Sequence, residues 1–86
     1  PITLAISLHA PLQKKREEII PAAKKYKLPE LIAACDYYLN KTGRRLTFEY
    51  IMIGGFNDTL SDAKNLSELL KNKLCNVNLI PCNYVE

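Results

Sequence analysis

Apolar residues recur along this chain in two rhythms, every second position in some stretches and every third or fourth in others, and the rhythms alternate. Ile2 to Leu8 is a short apolar run containing β-branched residues, bounded by Pro1 and Pro11, and it predicts a strand. Gln13 to Ile20 predicts a short helix that Pro21 interrupts. A longer helix follows, because Leu28, Leu31, Ile32, Cys35, Tyr38 and Leu39 recur at three- and four-residue spacings, with Pro29 tolerated in the first turn. Gly43 supplies the left-handed residue that ends it.

Leu46 to Ile53 predicts a second strand, closed by Gly54 and Gly55. Asn57, Asp58 and Thr59 offer caps for a third helix whose apolar face is Leu60, Ala63, Leu66, Leu69 and Leu70, and which gives way near Asn72. Cys75 to Ile80 predicts a third strand, stopped by Pro81. The order is β-α-α-β-α-β, and helical crossovers of this kind favour parallel strands joined by right-handed connections.

Side chains alternate across a strand, so each predicted strand has two faces. Leu4, Ile6 and Leu8 oppose Thr3, Ala5 and Ser7, with His9 next in the same alternation; Leu46, Phe48, Tyr50 and Met52 oppose Thr47, Glu49, Ile51 and Ile53; Cys75, Val77 and Leu79 oppose Asn76, Asn78 and Ile80. A parallel sheet covered on both sides has near-continuous apolar strands, and these depart from that pattern. Helices outside and a polar, ligand-holding interior account for Ser7, Glu49 and Asn78 together, since burying a charge such as Glu49 without a partner is costly. The expected fold class is α/β: three parallel strands with helical crossovers, forming part of a (β/α) barrel. Eighty-six residues do not close such a barrel, so residues 1–86 are expected to be a single piece of a larger barrel domain.

Composition narrows the class. The chain is 48% hydrophobic and 24% charged, which suits a packed core and not a disordered chain. No apolar run approaches the ~20 residues of a membrane span, and Pro1 does not begin a secretory signal, so a cytoplasmic protein is expected. Cys35, Cys75 and Cys82 are an odd count without a close pair, which argues against a disulfide framework or a self-contained zinc site. Net charge is only +3, yet the cations cluster at Lys14, Lys15 and Arg16, at Lys24, Lys25 and Lys27, and at Arg44 and Arg45. Such clusters suit a polyanion such as RNA, and they equally describe solvated loop faces.

In β/α barrels chemistry collects at the carboxyl ends of the strands. Here those ends are Ser7-Leu8-His9, Gly54-Gly55-Phe56-Asn57-Asp58 and Pro81-Cys82-Asn83. His9 reads as a surface or capping histidine, or as a ligand contact at a strand end; no Ser-His-Asp order or metal-ligand spacing accompanies it. Cys35 and Cys75 read as core residues, and Cys82 has no cationic neighbour in sequence to make it a nucleophile. Gly54-Gly55 reads as a plain βα turn, because neither a dinucleotide fingerprint nor a P-loop is present. Glu49 reads as a buried base or, in preference, as a structural group paired with a cation or with Asn78.

The runs SLHAP, TGRR-x-TFEY, G-x-ND and VNLIP-x-N, spread over essentially all of the chain, resemble the later half of the radical S-adenosylmethionine barrel in the RlmN/Cfr family. The resemblance implies an enzyme that methylates adenine in 23S ribosomal RNA and, for some members, in transfer RNA. It also implies that Ser7, Leu8 and His9, together with Asn83, contact S-adenosylmethionine. A serine hydroxyl and an asparagine amide can hydrogen-bond the carboxylate, amine or ribose of that ligand, and the adjoining backbone can hold adenine. On this reading His9 is a cofactor-site residue and not a general base.

The departures from the family pattern are as informative. The C-x3-C-x2-C motif that holds the family's 4Fe-4S cluster is absent and is expected upstream of Pro1. The family's proton-accepting acid is also expected upstream and its methyl-carrying cysteine downstream of Glu86, so neither Glu49 nor Cys82 inherits those roles. No catalytic residue and no metal ligand is therefore assigned within the chain, which is expected to be inactive alone. The complete enzyme would use two molecules of S-adenosylmethionine, one to methylate the cysteine and one cleaved reductively to a radical, with an electron donor such as flavodoxin.

Lys14, Lys15, Arg16, Lys24 and Lys25 lie on the connection after the first strand and are the candidates for RNA phosphates. Arg44 and Arg45 precede the second strand and belong to the opposite rim. A monomer without membrane association is expected. SLHAP in place of a variant such as SIHSP inclines the reading to adenine C2 methylation. The alternatives are the Cfr-type reaction at adenine C8, which confers antibiotic resistance, and a non-enzymatic RNA-binding α/β module.

Overall fold

The computed structural model describes residues 4–81. Strand β1 (Leu4–Ser7) leads to helix α1 (Gln13–Ile19), a 3-10 turn at Pro21–Lys24 and helix α2 (Leu28–Thr42). Strand β2 (Leu46–Met52), helix α3 (Leu60–Leu69) and strand β3 (Cys75–Pro81) complete the order. The strands form one parallel sheet in the order β1-β2-β3, as the helical crossovers require. The expected α/β class and the expected elements are all present; Ile2 and Thr3 of the first expected strand lie outside the described residues.

Local chemistry explains the element ends. Pro21 has no N–H to continue α1, and the chain tightens into the 3-10 turn there. Gly43 ends α2 with φ 65°, its N–H donating to the Leu39 carbonyl at 2.9 Å. Of the three candidate caps before α3, Thr59 takes the position: its Oγ1 accepts from the Asp62 N–H at 3.1 Å, and the Asp62 carboxylate accepts from the Thr59 N–H at 3.2 Å. Asp58 instead accepts from the Gly55 N–H at 2.8 Å and closes the turn.

The core lies between one face of the sheet and the helices. Leu8, Leu46 and Phe48 are completely buried there, against Leu28 and Cys35 of α2, with Leu31, Ile32, Tyr38, Leu39, Leu66 and Leu69 around them. Each fully buried Leu or Phe contributes roughly 1.5–3 kcal/mol by leaving water. The apolar face expected for α3 is corrected at its start, where Leu60 is 89% exposed and Ala63 is exposed too. Asp62 is the residue of this first turn that faces inward, and Leu60, two positions away, is turned to the opposite side of the helix.

The other face of the sheet carries a polar rung beside an apolar one, Ile51 opposite Ile80. Ser7 pairs in register with Glu49, and Glu49 with Asn78, so a hydroxyl, a carboxylate and an amide form one rung across all three strands. Ser7 and Asn78 are exposed and Glu49 is half-buried. Among the described residues, no helix is long and apolar enough to cross a membrane.

Candidate cofactor-binding site

Beyond Ser7 the chain leaves the ladder but stays tied to β2. The Leu8 N–H donates to the Glu49 carbonyl at 2.9 Å and the His9 N–H reaches the same oxygen at 3.4 Å. His9 has φ 61°, in the left-handed region, where a side chain costs about 1–2 kcal/mol. A residue persists there only when its surroundings hold it. His9 is held at both ends: its carbonyl accepts from Asn57 Nδ2 at 2.7 Å, and its ring Nδ1 accepts from the Ile51 N–H at 2.9 Å.

That second bond fixes the state of the ring. A backbone N–H only donates, so Nδ1 is unprotonated and the neutral imidazole carries its proton on Nε2. Burial pulls the His9 pKa below its ordinary value and the nearby Arg16 charge acts in the same direction, against the opposing pull of Glu49. Among the described residues nothing accepts from Nε2, which leaves that N–H for a ligand or solvent.

Asn57 is 1% exposed and every polar group of its side chain is used. Nδ2 donates to His9 O and also to Ile51 O at 2.7 Å, while Oδ1 accepts from the Ile53 N–H at 2.7 Å. Its own carbonyl accepts from the Tyr50 hydroxyl at 2.5 Å. Burial first, then Asp62 and Asp58, push the Tyr50 phenol up to about 12, so it stays a donor.

Two residues expected on RNA make hydrogen bonds within the fold. Arg16 is buried beneath β1, with Nε donating to the Leu8 carbonyl at 3.2 Å and Nη2 to the Ser7 carbonyl at 3.1 Å. Lys15 donates from Nζ to the Phe56 carbonyl at 2.6 Å and to both Asp62 carboxylate oxygens at 2.9 and 3.0 Å. Both cations are engaged within the fold, and the triad's appearance as one surface cluster is corrected accordingly. Lys14, Lys24 and Lys25 are exposed. Arg45 donates to Asn76 Oδ1 at 3.3 Å, at the amino ends of the strands, the rim where the sequence placed it.

Of the residues expected on the cofactor, the structure brings Ser7, Leu8 and His9 together at one end of the sheet beside the Asn57 turn. The Leu8 side chain belongs to the core, so at this site Leu8 acts through the path of its main chain. Asn83 and Cys82 lie outside the described residues. The donor set fits S-adenosylmethionine: Ser7, Glu49 and Asn78 present hydroxyl, carboxylate and amide groups on one face, suited to an amino-acid moiety and a ribose. It does not fit an iron-sulfur cluster. Among the described residues no three potential ligands converge, and burial raises the thiols of Cys35 and Cys75 away from thiolate character.

No family model matches the chain. It is 58% identical, over 99% of its length, to a probable dual-specificity RNA methyltransferase RlmN of Clostridium botulinum, and 56% identical over the same share to its namesake in Clostridium perfringens. The chain belongs to the RlmN/Cfr family. It spans about a quarter of the length of the curated relatives it matches. A radical SAM methyltransferase from Sphaerobacter thermophilus superposes with a TM-score of 0.94 at 49% identity, over 96% of this chain and 24% of that one. The fold of this RlmN/Cfr chain is thus that of a stretch of a radical SAM methyltransferase.

Proposed function

We propose that this chain forms the later strands of the catalytic barrel in an RlmN-type enzyme that methylates adenine C2 in 23S ribosomal RNA, and in transfer RNA, in the cytoplasm. The observation that carries the reading is the Ser7-Glu49-Asn78 rung beside a His9 held neutral at the strand end. Ser7, the Leu8 main chain and His9 hold S-adenosylmethionine, with Asn83 completing the set. Bound there, S-adenosylmethionine supplies the methyl group. The residues of this chain orient it: Ser7 through its hydroxyl, His9 through the Nε2 proton, and the sheet behind them by excluding water.

The 4Fe-4S cluster and its ligands belong to other parts of the complete, monomeric enzyme, which draws its electron from a donor such as flavodoxin. The chain alone is inactive on this reading. Exposed Lys14, Lys24 and Lys25 are the cations available to RNA phosphates. The test is nucleoside mass spectrometry of a 23S ribosomal RNA fragment, and of transfer RNA, treated with the reconstituted full-length enzyme. Methyl at adenine C2 supports the proposal. Methyl at C8 assigns the Cfr-type reaction, and absence of methylation by fully loaded enzyme leaves a non-enzymatic RNA-binding module.

A further inference from the structure

The motif G-x-ND has no part in the cofactor contacts above, yet its asparagine is among the most buried polar residues described. We infer that Asn57 is a positioning residue for S-adenosylmethionine, acting through His9. This rests on the proposal that the Ser7-Leu8-His9 segment holds that ligand. Asn57 touches no ligand itself.

Three features separate this role from that of an ordinary buried amide. Asn57 bridges two chain segments far apart in sequence, since one Nδ2 proton goes to His9 O and the other to Ile51 O, each at 2.7 Å. The same Ile51 supplies the N–H that His9 Nδ1 accepts at 2.9 Å, so one amide fixes both the left-handed backbone of His9 and the donor that sets its ring. Oδ1 accepts from Ile53 N–H at 2.7 Å, which sets the amide's orientation: oxygen toward Ile53, nitrogen toward His9.

Without the Nδ2 donors, two carbonyls face each other unpaired and His9 has no reason to stay at φ 61°. The backbone relaxes, Nδ1 parts from Ile51, and the Nε2 proton no longer points where a ligand was held. Groups that support metal ligands in this way commonly change metal affinity or activity ten- to a hundredfold, and an effect of that order is expected here. Tyr50, whose hydroxyl holds the Asn57 carbonyl at 2.5 Å, is the outer member of the same chain of hydrogen bonds.

The experiment uses the full-length enzyme with its cluster loaded, and measures binding of S-adenosylmethionine by equilibrium dialysis together with the 15N shifts of the His9 ring. Asn57→Asp replaces the two donors by a carboxylate of the same shape and is expected to raise Kd roughly tenfold or more. The His9 signals are expected to leave the pattern of a neutral Nε2–H ring. Tyr50→Phe keeps the core intact and is expected to raise Kd by a smaller factor, which decides the matter if Asn57→Asp does not fold. Leu70→Ala, a core change just past the remote end of α3, is expected to lower stability without moving Kd or the His9 signals.

Unchanged Kd and unchanged His9 shifts in folded Asn57→Asp and Tyr50→Phe would overturn the inference. Ser7→Ala and His9→Ala separate it from its premise. If they weaken binding while the Asn57 and Tyr50 variants do not, positioning alone is refuted. If they leave Kd unchanged, the cofactor-site reading itself is refuted.

Discussion

Arg16 Nη2 donates to the Ser7 carbonyl at 3.1 Å, so a cation from a Lys-Lys-Arg run lies beneath the strand end proposed to hold the cofactor. The guanidinium suits this place because its fork spans two adjacent carbonyls, those of Ser7 and Leu8, at once. Arg16→Ala leaves the buried Leu8 oxygen unpaired and the part-buried Ser7 oxygen to find water, and is expected to cost about 1–3 kcal/mol. Arg16→Lys keeps the charge but loses the fork, and is expected to recover less than half of that loss. Urea midpoints of the full-length protein check both, and near-equal stability of Arg16→Ala and wild type would show that the two bonds contribute nothing.

Lys14, Lys24 and Lys25 present the opposite case. They are exposed, and replacing all three by Glu is expected to weaken RNA binding and flatten its salt dependence. The slope of log K against log salt is expected to fall by roughly 0.7–0.9 for each phosphate that is no longer neutralised. Lys15→Met and Arg44→Glu are expected to leave that slope alone, because Lys15 is occupied by Asp62 and Arg44 stands on the amino side of β2. Filter binding across a salt series is the measurement, and equal losses from Lys14 and Arg44 variants would place RNA on neither rim preferentially.

The contrast between Arg16 and Lys14 marks the boundary of what the sequence discloses. Two-residue alternation placed Ser7, Glu49 and Asn78 on one face, and parallel pairing then brought them onto one rung. Gly43 and Thr59 declared themselves by residue type, since few side chains suit a left-handed cap or an N-cap. Charge type carries no such geometry: three consecutive cations point about 100° apart on a helix, and only the packed structure selects the one that turns inward. Asn57 was hidden for a related reason. An Asn-Asp-Thr run before a helix reads as three candidate caps, and the long-range partners that draw Asn57 inward, His9 above all, are 48 residues away.

His9 titration gives a pH dependence with a definite sign. Burial lowers its pKa in the folded protein from 6.5, helped by Arg16 and opposed by Glu49. The unfolded chain therefore binds the proton first, and the stabilisation is fully present above the ordinary value and declines as pH falls from 6.5 toward the folded pKa. An imidazolium has no lone pair for the Ile51 N–H, so the strand end of the folded protein loosens only as pH falls through the lowered folded pKa. Affinity for S-adenosylhomocysteine is expected to fall as pH drops through the folded His9 pKa, which lies below the ordinary 6.5, and His9→Gln is expected to abolish that part of the profile. Calorimetric titration at several pH values checks this; a profile identical in His9→Gln would assign the dependence to another group.

Asp62 joins α1 to the start of α3, because its carboxylate receives Lys15 from α1 and Thr59 at the cap of its own helix. Burial alone would raise its pKa, but the Thr59 and Lys15 hydrogen bonds outweigh it and hold the carboxyl below 3.8. The stability this represents is present above that ordinary value and is lost as pH falls through the lowered one. Thr59→Ala removes the cap and is expected to cost about 1–2 kcal/mol. In a double-mutant cycle, Lys15→Met and Asp62→Asn are expected to couple by about 1–3 kcal/mol at neutral pH, since the two residues are in direct contact. Repeated as pH is lowered through the folded Asp62 pKa, the coupling is expected to shrink as the carboxylate protonates, because a neutral acid no longer attracts the Lys15 ammonium. Coupling that stays constant with pH would mean that the charge of Asp62 is not what ties Lys15 of α1 to α3.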